Sequence, residues 1–114
     1  MRAVVVAVLS VFGLAFLVVP ASASVGCDAG EVCLWSGTSY RGQLVKLTLS
    51  DTNPGECVPI GVEARSFANL LRQPVTVYQS QECSTEGEFD TYPGRGVYVP
   101  CAPFVVRGVQ IWSS

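Results

Sequence analysis

With 114 residues, seven basic and nine acidic side chains and no histidine, the chain is sized for a single domain. Its Lys and Arg are scattered singly, which argues against nucleic acid or an anionic membrane as partner, because phosphates are bound by clustered cations. The absence of histidine removes the commonest general base, the usual partner of a Ser or Cys nucleophile and the common His-containing zinc sites.

In chain order the first element reads as an export signal. Met1 and Arg2 make a short positive start, Ala3 to Val19 is an almost unbroken apolar run, and Pro20-Ala21-Ser22-Ala23 supplies a helix breaker and the small residues of a cleavage site. Cleavage is expected after Ala23, leaving residues 1–23 as a signal peptide and residues 24–114 as a secreted, extracellular domain. A retained anchor is disfavoured because a membrane span needs about 20 apolar residues. A lipidated Cys27 is disfavoured because Ser24, three places before it, is not aliphatic. Once processed, the domain keeps six basic and nine acidic residues, a formal charge of −3.

From there on, apolar and polar residues alternate in short runs punctuated by Gly, Pro, Asn and Asp, the pattern of β-hairpins. Strands are expected at Val32 to Trp35, Gln43 to Leu49, Cys57 to Ile60, Arg65 to Leu71, Val75 to Tyr78, Glu88 to Thr91, Val97 to Val99 and Val105 to Trp112. Eight short strands suggest an all-β sandwich or small barrel. Trp35, Phe67, Tyr78, Phe104 and Trp112 lie in or beside these strands and are expected to pack in the core.

The chain also repeats itself weakly. Val32-Cys33-Leu34-Trp35 has a counterpart in Val75-Thr76-Val77-Tyr78, and Ala64-Arg65-Ser66-Phe67-Ala68-Asn69-Leu70 lines up with Val106-Arg107-Gly108-Val109-Gln110-Ile111-Trp112. Two four-strand motifs packed face to face would bury both inward rows in one core. Arg65 and Arg107 fall at equivalent places, where hydrogen bonds to nearby carbonyls are expected.

Five cysteines follow the signal: Cys27, Cys33, Cys57, Cys83 and Cys101. In an exported protein they read first as disulfides, and the odd number leaves at least one over. Cys27 with Cys33, separated by a short stretch containing Gly30, is the favoured local pair. The other three allow three pairings; Cys57 with Cys83 is preferred, leaving Cys101 as a free thiol, expected to be a buried small hydrophobe among Pro100, Ala102, Pro103 and Phe104. A disulfide from Cys101 to a second chain is the other possibility.

Cys27-Asp28-Ala29-Gly30-Glu31-Val32-Cys33-Leu34-Trp35, then Tyr40-Arg41-Gly42, resembles the opening of a family of small secreted bacterial peptidase inhibitors typified by the streptomycete metalloproteinase inhibitor. Ala64 to Asn69, continuing into Pro74-Val75-Thr76-Val77-Tyr78, is similar to the middle of that family. The resemblance implies a βγ-crystallin-like sandwich of two Greek-key motifs and an inhibitor of an extracellular peptidase, a metalloproteinase in the type member, rather than an enzyme. Many microbial βγ-crystallins bind Ca²⁺ through two Asn or Asp, two variable residues, Ser or Thr, and Ser. The matching stretches, Gly61 to Ser66 and Pro103 to Gly108, lack the leading pair and carry Arg in the fifth place. No Ca²⁺, other metal or cofactor is expected, since hard cations need several oxygen ligands.

Glu82, Glu86, Glu88 and Asp90 gather around a turn rich in Ser, Thr and Gly, where water would screen them, so a catalytic carboxylate pair is not expected. An inhibitory loop should be exposed and tied at its ends, so that docking costs little ordering entropy. Two candidates meet that description: Ser36-Gly37-Thr38-Ser39-Tyr40-Arg41-Gly42, close to the Cys27 and Cys33 bridge, and Ser84 to Gly96, between Cys83 and Cys101, which contains Tyr92-Pro93-Gly94-Arg95-Gly96. The alternatives are a structural or envelope-associated sandwich with no peptidase target and a binder of a small ligand or sugar. A monomer is expected.

Overall fold

The alternating runs fold as strands. The computed structural model describes residues 26–113, so the expected signal peptide and its cleavage point lie outside the described residues. Eight strands appear, β1 (Val32–Trp35), β2 (Leu44–Leu47), β3 (Cys57–Ala64), β4 (Ser66–Asn69), β5 (Val75–Tyr78), β6 (Phe89–Tyr92), β7 (Val97–Val99) and β8 (Val106–Ile111), and no helix among the described residues. They form two antiparallel sheets, β2-β1-β4-β7 and β3-β8-β5-β6.

The inward rows of both sheets meet in one core. Val32, Leu34 and Phe67 from the first sheet pack with Val75, Val77, Val106, Val109 and Ile111 from the second, each burial contributing about 1.5–3 kcal/mol. Alternation sends Cys33 and Trp35 to the opposite face, where they form a second cluster with Cys27 and Ala68, partly covered by Tyr40, Leu44 and Leu70. The outer face of β5 is satisfied differently. Thr76 Oγ1 lies 2.6 Å from Thr91 Oγ1 and accepts from Trp112 Nε1 at 2.8 Å, while Tyr78 donates to Gln110 and stacks on Phe89.

A simple exchange relates the sheets. Replacing β1 by β5, β2 by β6, β3 by β7 and β4 by β8 converts one strand order into the other. Registers agree: Trp35 pairs with Ser66 as Tyr78 pairs with Gly108, and Val32 with Asn69 as Val75 with Ile111. The alignment that sets Arg65 opposite Arg107 in sequence therefore also holds in space. Each half sends its third strand into the sheet built mainly by the other, β3 onto β8 and β7 onto β4.

β2, β4 and β8 are shorter than expected and β6 is shifted by one residue, while β3 runs well past its expected end. Gly61 breaks the alternation after Ile60, so the sequence reads as a strand end, yet β3 continues to Ala64. The register slips between the Pro59–Gly108 and Ala64–Val106 pairs, and Gly61, at φ 79°, takes the left-handed conformation that glycine tolerates at such irregularities. Pro59 is acceptable because β3 is an edge strand.

Candidate functional site

Ser36 to Gly42 joins β1 to β2 and is fastened along its length. Gly37 N donates to Arg41 O at 2.8 Å, Gln43 N to Ser36 Oγ at 2.8 Å, and Ser39 N to Pro100 O at 2.7 Å. Ser66, wholly buried at the head of β4, donates through Oγ to Gly37 O at 2.7 Å and accepts from Tyr40 N at 2.9 Å. These bonds hold Ser39 at φ 57° and Tyr40 at φ 63°, a left-handed conformation that costs roughly 1–2 kcal/mol per non-glycine residue. The Tyr40 ring meets Trp35 and Tyr98 edge-on at 5.1 and 5.9 Å, and burial, with a smaller effect of Tyr98, raises its phenol above the ordinary tyrosine value. Thr38, Ser39, Arg41 and Gly42 face solvent.

The interval from Ser84 to Gly96 is not one loop. It contains β6, and what remains outside strands is a loop before it and the turn Pro93-Gly94-Arg95-Gly96 after it. Of the cysteines on either side of it, Cys83 is bridged to Cys57 and Cys101 is free. The fastening is Asn69, 2% exposed at the end of β4, whose Nδ2 donates to Pro93 O at 3.2 Å and Gln73 O at 2.9 Å while its Oδ1 accepts from Leu71 N at 3.1 Å. Arg95 N and Gly96 N donate to Leu71 O and Asn69 O, and Arg95 sits at φ 73° with its side chain exposed. Tyr92 packs edge-on against Phe67 at 4.9 Å; burial first, and Asp90 second, raise its phenol. Asn69 escaped the sequence reading, although an amide inside the run Phe67-Ala68-Asn69-Leu70-Leu71 is a signal, because a buried polar group must be bonded. The two loops sit at opposite ends of β4 and are not brought together.

Disulfides join Cys27 to Cys33 and Cys57 to Cys83. Cys101 is free and exposed, which corrects the expectation of a buried thiol. Alternation after β7 explains it: Ala102 and Phe104 pack on the core while Cys101 and Pro103 face outward. Glu82, Glu86, Glu88 and Asp90 are all exposed. Among the described residues, the Cys, Asp or Glu ligand atoms that converge in a group of three belong to Cys27, Glu31 and Cys33, and the two sulfurs are bonded to each other.

At the seam between the halves, Ser36, Gln43, Gly61, Val62, Glu63, Arg65, Gln81 and Arg107 line an open cleft of about 540 Å³. Arg65 Nη1 donates to Ser36 O at 3.0 Å and Arg107 Nη1 to Gln79 O at 3.3 Å, so each guanidinium is anchored to the first turn of its own half. Glu63 accepts from both. The hydrogen bond and charge of Arg107, then those of Arg65, hold its carboxyl below the usual glutamate value.

Residues 20–90, well over half of the chain, match the model of peptidase inhibitor family I36. The chain belongs to that family. No curated protein and no solved structure matches it. Family I36 membership assigns a general role in peptidase inhibition, with a peptidase as partner. The I36 match takes in Ser36 to Gly42, all four bridged cysteines, Glu63, Arg65 and Asn69. It ends within β6, before Pro93 to Gly96, Cys101 and Arg107.

Proposed function

We propose that this I36 member is exported, loses residues 1–23 and inhibits an extracellular metalloproteinase by presenting Ser36 to Gly42 as a loop already in its bound shape. One observation carries the choice of loop: left-handed backbone at Ser39 and Tyr40 is held by bonds to Ser66 and Pro100 while Thr38, Ser39 and Arg41 stay exposed. A segment fixed in this way forfeits little conformational entropy on docking. Its position inside the I36 match favours it over the turn at Arg95. The metalloproteinase target rests on the resemblance of the opening residues to the streptomycete inhibitor family. Without histidine or a desolvated carboxylate pair, the protein acts by occupying a peptidase rather than by chemistry of its own.

The exchange of β3 and β7 between sheets supports reading the fold as two Greek-key motifs of βγ-crystallin type. In this reading Ca²⁺ has no place at the stretches Gly61 to Ser66 and Pro103 to Gly108, because Arg65 and Arg107 put guanidiniums there.

Residual activity of thermolysin-like, subtilisin-like and trypsin-like peptidases, titrated with the purified protein, tests the proposal. Stoichiometric loss of the thermolysin-like activity is expected. Arg41→Ala should raise the inhibition constant about tenfold, the factor that corresponds to about 1.4 kcal/mol of lost contact, and Arg95→Ala should not. Inhibition of no class overturns the proposal in favour of a structural sandwich; equal loss in the two variants overturns the choice of loop.

A further inference from the structure

A single carboxylate stands between two guanidiniums. Arg107 Nη2 lies 2.9 Å from Glu63 Oε2, and Arg65 Nη2 lies 3.3 Å from Glu63 Oε1. Arg65 and Arg107 are counterparts in the two halves, and the same alignment sets Glu63 opposite Val105. The second half therefore brings a cation to the seam without the carboxylate to balance it. The cleft keeps one positive charge in excess, on a domain that carries more acidic than basic residues. Its remaining lining is Ser36, Gln43 and Gln81, which offer neutral hydrogen-bonding groups, with Gly61 and Val62. Glu82, the nearest further acid in sequence, is bonded to Ser80 and Gln81 and is not part of the lining.

Both guanidiniums are also fixed in attitude, since each Nη1 is committed to a main-chain carbonyl. Planar forks held in place suit a planar carboxylate, and pre-organisation limits what is lost on each bond formed. We propose that this cleft is a binding site for a peptide carboxylate, seated between Arg65 and Arg107 with Glu63 as the internal competitor. The volume of about 540 Å³ admits an acidic side chain or a chain end. Either source presents the same group, and the site does not rest on the peptidase-inhibitor reading.

Titration of ¹⁵N-labelled protein, followed at the arginine side-chain resonances, tests this with three probes. Acetyl-glutamate amide carries only a side-chain carboxylate, acetylglycine only a terminal one, and acetyl-glutamine amide neither. Saturable shifts of Arg65 and Arg107 are expected with at least one of the first two, which names the source, and none with the third. Glu63→Gln removes the competitor and should tighten binding about twofold to fivefold, the range an exposed ion pair spans. Arg107→Gln should weaken it by at least as much; if that variant does not fold, Glu63→Gln decides. Equal shifts at Arg72 and Arg95, a response to the glutamine probe, or a Glu63→Gln protein that binds no tighter overturns the proposal.

Discussion

Ser66 and Asn69 occupy the two ends of β4, and each spends its polar atoms on a neighbouring loop instead of on solvent. Both side chains are buried, so removing either leaves main-chain groups without their partners, Leu71 N in the interior among them. Asn69→Ala leaves Leu71 N and two carbonyls without their bonds, and should cost about 2–3 kcal/mol in denaturant unfolding. A loss under about 0.5 kcal/mol, the scale of an ordinary surface change, would mean that the turn at Pro93 is held by its own backbone alone. Glu63 acts on a different axis, pH. Its carboxyl is held low by Arg107 and Arg65, so the folded state binds that proton less tightly than the unfolded chain. The stabilisation is fully present above the ordinary glutamate value, about pH 4.3, and is lost as pH falls through the lowered one. Wild type should therefore melt above Glu63→Gln at neutral pH, with the gap closing in strong acid. Because Glu63 is exposed, the gap is small. A gap unchanged at about pH 2 would show that the carboxylate's charge is not its source.

Among elements, the strands were legible and the loops were not. Val32 to Trp35, Val75 to Tyr78 and Val97 to Val99 fall where they are expected, because each is a short run of apolar, β-branched or aromatic residues bounded by turn residues. The repeat was legible too, since the paired Arg residues mark the same register in both halves. Loop geometry was hidden for a physical reason. Ser36 to Gly42 is shaped by Ser66 and Pro100, which lie far off in sequence, and local composition carries no trace of such partners. Cys101 was misjudged on the apolar character of its neighbours, when the side to which alternation points it decides the matter. The bridges differ in span, with separations of 6 residues for Cys27–Cys33 and 26 for Cys57–Cys83. By loop-closure entropy, replacing both cysteines by serine should cost about 2 kcal/mol for the first pair and about 3–4 kcal/mol for the second. Thermal melts of the two double variants check this. A reversed order would point to packing of the buried Cys27 and Cys33 as the larger contribution.

At the scale of the whole molecule, the exchange of β3 and β7 has a mechanical consequence. Neither half can complete its sheet alone: without β7 the edge of β4 is bare, and without β3 the edge of β8 is bare. The single core draws Val32, Leu34 and Phe67 from one half and Val75, Val77, Val109 and Ile111 from the other. Two domains joined by a linker would melt separately; two halves that share strands and core should melt together. Leu34 and Ile111, both essentially unexposed, report on opposite halves. Leu34→Ala and Ile111→Ala should each cost about 2–5 kcal/mol through the cavity they leave, and each should lower one common transition, seen alike by tryptophan fluorescence and by far-ultraviolet circular dichroism. Against a total stability on the order of 5–15 kcal/mol, the double variant should be at or beyond the limit of folding. A variant that melts in two steps, with only its own half displaced, would show that the strand exchange does not couple the halves. The loop at Ser36, which leans on Pro100 from the other half, would then lose the rigidity that the proposed mode of inhibition requires.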